Sequence, residues 1–335
     1  MEGWQTGDFV RDAKLPKTGW MILSSEQLAI DPTGLKKLAY DLGFTTVGVT
    51  SAIPIPEALE TYHDWLGIGY HADMQYLADH ELLKQDPKSL LPSAKSVIVV
   101  SLNYYQEPQT PIKIARYALG RDYHKVLRIK LKSLAQLLGE QYPDAEFRAC
   151  VDSAPLLERS YAQLAGLGWF GKNTMLIDSK RGSWFFIGVL LSSIEFQPDE
   201  PSLGGCGTCH KCIEACPTGA IVNQNNRWQI DSSQCISYQT IEKKGEVIVD
   251  THGWVFGCDI CQEVCPFNEV RESQPLRSET TDENDFRQQR QFPTLAELAN
   301  IAYEDWNELT QGSAIRRTGY EGLKRNAQKV LDSMP

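Results

Sequence analysis

Eight of this chain's nine cysteines fall between residues 206 and 265, in two runs that each end in Cys-Pro. The first is Cys206-x2-Cys209-x2-Cys212-x3-Cys216-Pro217; the second is Cys258-x2-Cys261-x3-Cys265-Pro266, with Cys235 upstream. A cubane cluster needs four thiolates converging on its corners, and two-residue gaps turn a backbone around three of them. The cysteine before proline reaches across to the other cluster, so this spacing predicts two [4Fe–4S] clusters. Cys206, Cys209, Cys212 and Cys265 are assigned to one. Cys216, Cys258 and Cys261 serve the second, whose symmetric fourth position, three residues before Cys258, is Val255. Cys235 is the remaining cysteine of the segment and is expected to complete the set. Cys150, in a strand-like setting at residues 147–151, reads as a buried structural thiol.

Paired Cys-x2-Cys motifs also bind zinc. An uninterrupted run of four ending in Cys-Pro suits two cubanes better than two zinc ions. Disulfides fit poorly, because the N-terminus does not read as a secretory leader and the rest of the chain holds a single cysteine. The Cys-x3-Cys-x2-Cys spacing of radical enzymes that use S-adenosylmethionine is absent. The clusters are therefore expected to act as wires feeding a catalytic centre elsewhere in the chain.

A formal net charge of −10 argues against nucleic-acid binding by the whole surface, but not against a local basic patch. No apolar run approaches the ~20 residues that cross a bilayer, so no membrane partner and a cytoplasmic location are expected. Residues 1–21 read as an extension, with Met21 a plausible natural start. Residues 22–198 mix helices and strands, an α/β or α+β domain. A ferredoxin-like module at 199–270 follows a Pro-rich linker, and 271–335 read as a polar loop and helices. Asp31 is expected to cap a first helix with Pro32 at its first position and Gly43 at its end. Strands are expected at 44–50, 96–102 and 147–151, and helices at 126–138 and 156–165. Residues 174–177 and 183–191 read as strands paired with each other. Helices at 295–302 and 314–331 close the chain, the second broken at Gly319 or Gly322.

No Walker loop appears, and the glycine spacing from Gly166 to Gly171 follows a helix rather than a strand, so it does not read as a dinucleotide site. The densest remaining signal is Val151-Asp152-Ser153-Ala154-Pro155 leading to Glu158-Arg159. A carboxylate at a strand end can donate protons if burial raises its pKa. The same Asp could instead cap the following helix, which would lower its pKa. The residues alone leave both open.

Together with the cysteines, this segment closely resembles epoxyqueuosine reductase. The likeness runs through Asp152-Ser-Ala-Pro155, Gly166-Leu-Gly-Trp-Phe-Gly-Lys172-Asn173, Gly182-Ser-Trp-Phe-Phe186 and Cys206 onward. Tyr70-His-Ala-Asp-Met74, residues 116–125 and Cys235-Ile-Ser-Tyr238 fit as well, so it covers about residues 25–330. That family is similar in its core to reductive dehalogenases. Membership implies a corrinoid-binding α/β (α+β) domain, two [4Fe–4S] clusters and base-off cobalamin. It implies reduction of epoxyqueuosine to queuosine at the wobble position of a tRNA, with electrons from a donor such as flavodoxin or ferredoxin. A monomer would suffice. Asp152 matches the family's proton donor, with a pKa expected to be raised by burial, and Cys235 its out-of-run cluster ligand. Arg116, Asp152, Ser153, Ala154, Pro155, Lys172, Asn173, Tyr238 and Lys243 are the implied cofactor contacts.

The corrinoid is not legible in residue patterns: Asp250-Thr-His252 and Asp122-Tyr-His124 both lack the glycine of the D-x-H-x-x-G signature. For tRNA, Lys113, Arg116, Arg121, Lys125, Arg128, Lys130 and Lys132 form one basic run. Arg316, Arg317, Lys324, Arg325 and Lys329 form another; either run is a candidate for phosphate contact, the alternative for each being a solvated helix face. Two other functions remain in play. A reductive dehalogenase would not need the basic runs, and a pure electron carrier would not need the mixed region before the cysteines.

Overall fold

The structure is a computed structural model that describes residues 29–334. The expected extension and the start at Met21 lie outside the described residues. From the N-terminal side the elements are α1 (Thr33–Asp41), β1 (Thr46–Ser51), α2 (Pro56–Ile68), α3 (Gln75–Asp79), β2 (Ser96–Asn103) and β3 (Lys113–Ile114). There follow α4 (Tyr123–Gln141), β4 (Phe147–Cys150), α5 (Glu158–Leu164), β5 (Trp169–Phe170), β6 (Leu176–Ile177) and β7 (Phe185–Ser192).

Four of these strands make an antiparallel sheet in the order β1-β2-β7-β4. The central strand β2 is a Val- and Ile-rich run, as a strand buried on both faces must be. Its even-numbered residues Ile98, Val100 and Leu102 pack with Leu127, Leu131, Leu134 and Leu138 of α4 and with Leu35 and Ala39 of α1. Its odd-numbered residues Val97 and Val99 pack with Tyr161 and Ala162 of α5, beside Cys150. Cys150 is buried, and burial pushes its thiol up to about 11, as an inert structural thiol requires. Gly48 in β1 is obligatory, because a Cβ there would stand 1.9 Å from the Ala165 carbonyl oxygen.

Two expectations are corrected. Residues 174–177 and 183–191 do not pair as strands with each other. β6 pairs with β5, and β7 is the inner strand between β2 and β4; Asp178 and Gly182 form only an isolated bridge. Asp31 does not cap α1. It closes a turn on the Thr33 N–H at 2.8 Å, and Pro32 is the residue at the cap.

The chain then crosses β1, where Asp199 accepts the Val49 N–H at 2.8 Å and pairs with Lys36, so the Pro-rich segment is fastened down. The second half contains α6 (Lys211–Ala215), β8 (Ile221–Gln224), β9 (Arg227–Ile230), α7 (Ile236–Ile241), β10 (Trp254–Phe256) and α8 (Ile260–Glu263). The β8–β9 hairpin turns on Asn225 and Asn226, both at positive φ, as a two-residue hairpin loop demands. After it come α9 (Leu295–Ala299), α10 (Tyr303–Thr310) and α11 (Tyr320–Asp332), with the break before α11 at Gly319.

The closing helices build one core with the cluster module and the catalytic half. Leu323, Ala327 and Val330 of α11 pack with Val255 and Phe256 of β10 and with Ile112, Ile114 and Leu119. β10 also pairs in parallel with β3. Residues 271–291 are laid along the catalytic half: Thr281 N–H reaches the Tyr105 carbonyl at 2.8 Å, and Phe286 is buried in the first core. No helix among the described residues is long and apolar enough to cross a membrane.

Candidate active site and cluster module

Cys206, Cys209, Cys212 and Cys265 line one cavity, closed by Asn173, Ile177, Pro266 and Phe267. Among the described residues no three metal-binding side chains converge on a single point. These four sulfurs stand around a space instead, which is what a four-cornered cluster needs. Around the second position burial pushes the Cys258 thiol up to about 12, and the neighbouring Cys235 and Cys216 push it in the same direction. Burial also holds Cys261 well above a thiol's usual value, with Cys258 and Cys235 adding to the effect. Thiols so buried and crowded ionise only when a cation takes up the charge. This donor set fits iron–sulfur clusters.

Lys172 and Asn173 sit on the cluster loops. Lys172 Nζ donates to the carbonyls of Gly207 and Cys209, both at 2.9 Å, and lies over the Trp228 ring. Asn173 Nδ2 donates to the Cys261 carbonyl at 3.2 Å. Arg116 occupies the joint between the two halves. Its backbone N–H donates to Asp259 at 2.7 Å, its guanidinium to Glu263 at 2.5 Å, and it stacks over Trp184 and Tyr105. Burial pushes Asp259 up to about 6 against the pull of Arg116.

Asp152 follows β4 at φ +50°, a left-handed conformation uncommon for a residue with a side chain. Its turn is closed by the Ser153 N–H on the Val151 carbonyl. Ser153 Oγ accepts from Arg128 at 3.1 Å. Ala154 and Pro155 continue the turn toward the buried Leu156. The Asp152 side chain is 63% accessible.

The expected upward shift of its pKa is reversed. Burial does push it up, but hydrogen bonds from His124 at 2.9 Å and Tyr123 at 2.8 Å, with the charges of His124 and Arg159, outweigh burial and leave it below its usual value. Asp152 is a carboxylate at rest. Beside it, burial pushes Glu158 up to about 8.

Further polar groups come from the second half. Tyr238 O–H and Lys243 Nζ both donate to Asp73 Oδ2, at 2.7 and 2.9 Å. Tyr76 and Tyr117 each sense the charges of both Asp152 and Glu242. The accessible carboxylates of Asp152 and Asp73, with Tyr238 and Lys243, are polar groups of the kind a large hydrogen-bonding cofactor needs. Both His124 nitrogens are engaged by carboxylates, so this imidazole is not offered to a metal.

Much of the two basic runs is spent internally. Arg121 pairs with Asp285 at 3.0 Å, Lys130 with Glu283 at 2.8 Å and Arg317 with Glu242 at 2.9 Å. Arg325 donates to the carbonyls of Lys243 and Gln239. Sequence reasoning missed Tyr123 and His124 as partners of Asp152. The signal was Asp122-Tyr-His124 at a helix start, weighed only as a corrinoid motif.

Residues 84–153 match the family model described as Epoxyqueuosine reductase QueG, DUF1730, and residues 205–268 match the 4Fe-4S double cluster binding domain. The module therefore binds two [4Fe–4S] clusters. The solved structure of an epoxyqueuosine reductase with an epoxyqueuosine-modified tRNA-Tyr stem loop aligns at TM-score 0.78 and 28% identity, covering 89% of this chain and 80% of that one. A Bacillus subtilis epoxyqueuosine reductase, with its catalytic loop swung out of the active site, aligns at TM-score 0.75 and 28% identity over the same shares. The epoxyqueuosine reductase of a Synechocystis strain is 45% identical over 287 residues, 82% of this chain and 96% of that protein. At that identity and coverage, this chain belongs to the epoxyqueuosine reductase family.

Proposed function

We propose that this chain reduces epoxyqueuosine to queuosine at the wobble position of tRNA anticodons, the last step of queuosine synthesis. The observation that carries the reading is the pairing of a double-cluster module with an accessible carboxylate hydrogen-bonded to a histidine, in a chain whose relatives carry that activity by name. The net reaction takes the epoxide, two electrons and two protons to an alkene and water. Cobalamin, with its own base displaced, would supply a metal that accepts electrons singly and drives carbon–oxygen cleavage.

The chain's own residues do the rest. Arg116, Lys172 and Asn173 fix the cluster loops against the catalytic half, which holds the electron path at a set length. Tyr238, Lys243 and Asp73 offer the cofactor hydrogen bonds. Asp152 delivers a proton to the oxygen leaving carbon. Lys125 and Arg128, exposed beside Asp152, are placed to meet anticodon phosphates. A small flavodoxin or ferredoxin is the matching donor class, a monomer suffices and the cytoplasm is the matching compartment.

The test is an anaerobic assay of the cluster- and cobalamin-loaded chain on epoxyqueuosine-bearing tRNA, reading nucleosides by mass spectrometry. Cobalamin-dependent loss of one oxygen is expected. Asp152→Asn should keep both clusters and the corrinoid while losing roughly 10²-fold or more in turnover. Undiminished turnover in that variant would remove Asp152 from the donor role.

A further inference from the structure

Reducing an epoxide to an alkene consumes two protons, and a carboxylate ionised at rest holds neither. A histidine lies against it. Asp122 begins α4, its Oδ1 accepting the His124 backbone N–H at 3.1 Å and lying 2.8 Å from Nδ1 of the same residue. His124 Nε2 lies 2.9 Å from Asp152 Oδ2, and Tyr123 O–H donates to that same oxygen at 2.8 Å. The Tyr123 ring stacks on Phe186 at 4.3 Å and on His124 at 4.0 Å, so the imidazole is clamped in this orientation. A cation in the first turn of a helix meets the positive end of the dipole. An imidazolium there needs both carboxylates, and both are present.

We infer that His124 is the proton reservoir of the site, passing its Nε2 proton to Asp152, which delivers it to the oxygen released as the carbon–oxygen bond breaks. This rests on the reading of Asp152 given above. In each pass the Nε2–H bond breaks, an O–H bond forms on Asp152 Oδ2, and the proton moves on to the substrate oxygen. The neutral ring keeps its Nδ1 proton on Asp122 and regains the other from solvent, which reaches both His124 and Asp152. Two passes supply the two protons of the released water, while the two electrons arrive through the clusters. His124 acts through Asp152 and is a positioning residue.

Electrostatics agree with the geometry. Burial opposes a charged ring, but Asp122 and Asp152 overcome it and push His124 up to about 9. The other groups facing the pair are Tyr123, Lys125 and Arg128 on α4, Tyr117 just before it, Glu158 and Arg159 on α5, Lys84, and Tyr76 on α3. His124 and Tyr123 are the titratable side chains hydrogen-bonded to Asp152 among the described residues.

The test uses His124→Gln in the full chain, loaded with clusters and cobalamin, in single-turnover reduction of an epoxyqueuosine-bearing anticodon stem loop across pH. At pH 8 the rate should fall about 10²- to 10⁴-fold. The pH profile should move to the acid side, because Asp152 must then collect its own proton. Histidine NMR of the corrinoid-free protein gives a readout independent of turnover. One of the six histidines should titrate near 9, vanish in His124→Gln and titrate lower in Asp122→Asn. A parental pH profile in His124→Gln, with Asp152→Asn inactive, would overturn this inference and leave the Asp152 reading standing. So would the absence of any such high-titrating histidine. Activity in Asp152→Asn would remove the reading beneath it, and this inference with it.

Discussion

Asn326 ties the closing helix to the cluster module, and replacing it tests whether that helix is a brace or an appendage. Its side chain is fully buried, at 0% exposure. Its amide donates to the carbonyls of Thr240 on α7, at 2.7 Å, and Val255 on β10, at 2.8 Å. Its own oxygen accepts from the Arg325 guanidinium at 2.9 and 3.1 Å. Thr240 Oγ1 in turn accepts the Gly257 N–H at 2.9 Å, one residue before Cys258. Asn326→Leu keeps a similar volume and strands two backbone acceptors in an apolar core. At about 1–3 kcal/mol for each stranded group, the loss is about 2–6 kcal/mol. On the scale of ~2–4 °C per kcal/mol for chains somewhat shorter than this one, melting should fall by roughly 4–24 °C. The assay is an anaerobic circular-dichroism melt of the cluster-loaded protein, paired with iron analysis. Iron should drop from about eight per chain toward four, because the loop carrying Cys258 loosens first. An Asn326→Leu protein that melts with the parent and keeps all its iron would refute the reasoning.

Two further outcomes follow from the site. Cys235→Ala should halve the iron to about four per chain and leave one cluster's electron paramagnetic resonance signal in place; full iron would assign that corner to another residue. The His124 pair should also make stability depend on pH. With its folded pKa raised from 6.5 to about 9, His124 contributes stability that is full below pH 6.5 and gone once pH has risen through 9. The upper bound is about 3 kcal/mol, cut to roughly 1–2 by solvent around the largely open Asp152. Asp122 and Asp152, both depressed, contribute above the usual carboxylate range and lose that contribution as pH falls through their lowered values. The gap in denaturation free energy between the parent and His124→Gln should therefore be widest near pH 6 and close by pH 10; a gap that ignores pH would contradict the charge assignment.

How much was legible depends on how local each interaction is. The cysteine ligands announce themselves because a cluster loop writes its geometry into gaps of two or three residues. β2 and α4 were legible because burial on one or both faces imposes a periodic apolar pattern. α2 was missed although Leu59, Tyr62, Trp65 and Leu66 recur at helical spacing; none of its thirteen residues is fully buried. The false pairing of residues 174–177 with 183–191 came from assuming that neighbouring strands form a hairpin. Gly182, at φ +84°, turns the chain after a single bridge and sends β7 into the sheet. Residues 271–291 looked like loose polar chain because their docking rests on ion pairs and hydrogen bonds to residues distant in sequence and on one phenylalanine, Phe286. The places of Lys172 and Asn173 on the cluster loops depend on contacts 35 to 88 residues away, which no local pattern encodes.

The joint between the two halves carries the last step of the argument. An apolar interface would hold the cluster module firmly but could tolerate sliding, since burial is non-directional. Here the joint also has Arg116 on Asp259 and Glu263, Lys172 on two cluster-loop carbonyls, Asn173 on a third, and β3 paired with β10. Directional bonds at four places fix orientation as well as distance, and electron transfer from the clusters to the catalytic half requires both. The proton path needs none of them. Asp122, His124 and Asp152 lie wholly within the catalytic half, between the start of α4 and the end of β4. Electrons and protons thus enter from different structural units, and each supply can be damaged alone. Weakening the joint should slow electron delivery from the clusters while leaving the histidine titration intact, whereas removing His124 should abolish that titration and slow turnover while leaving electron delivery intact.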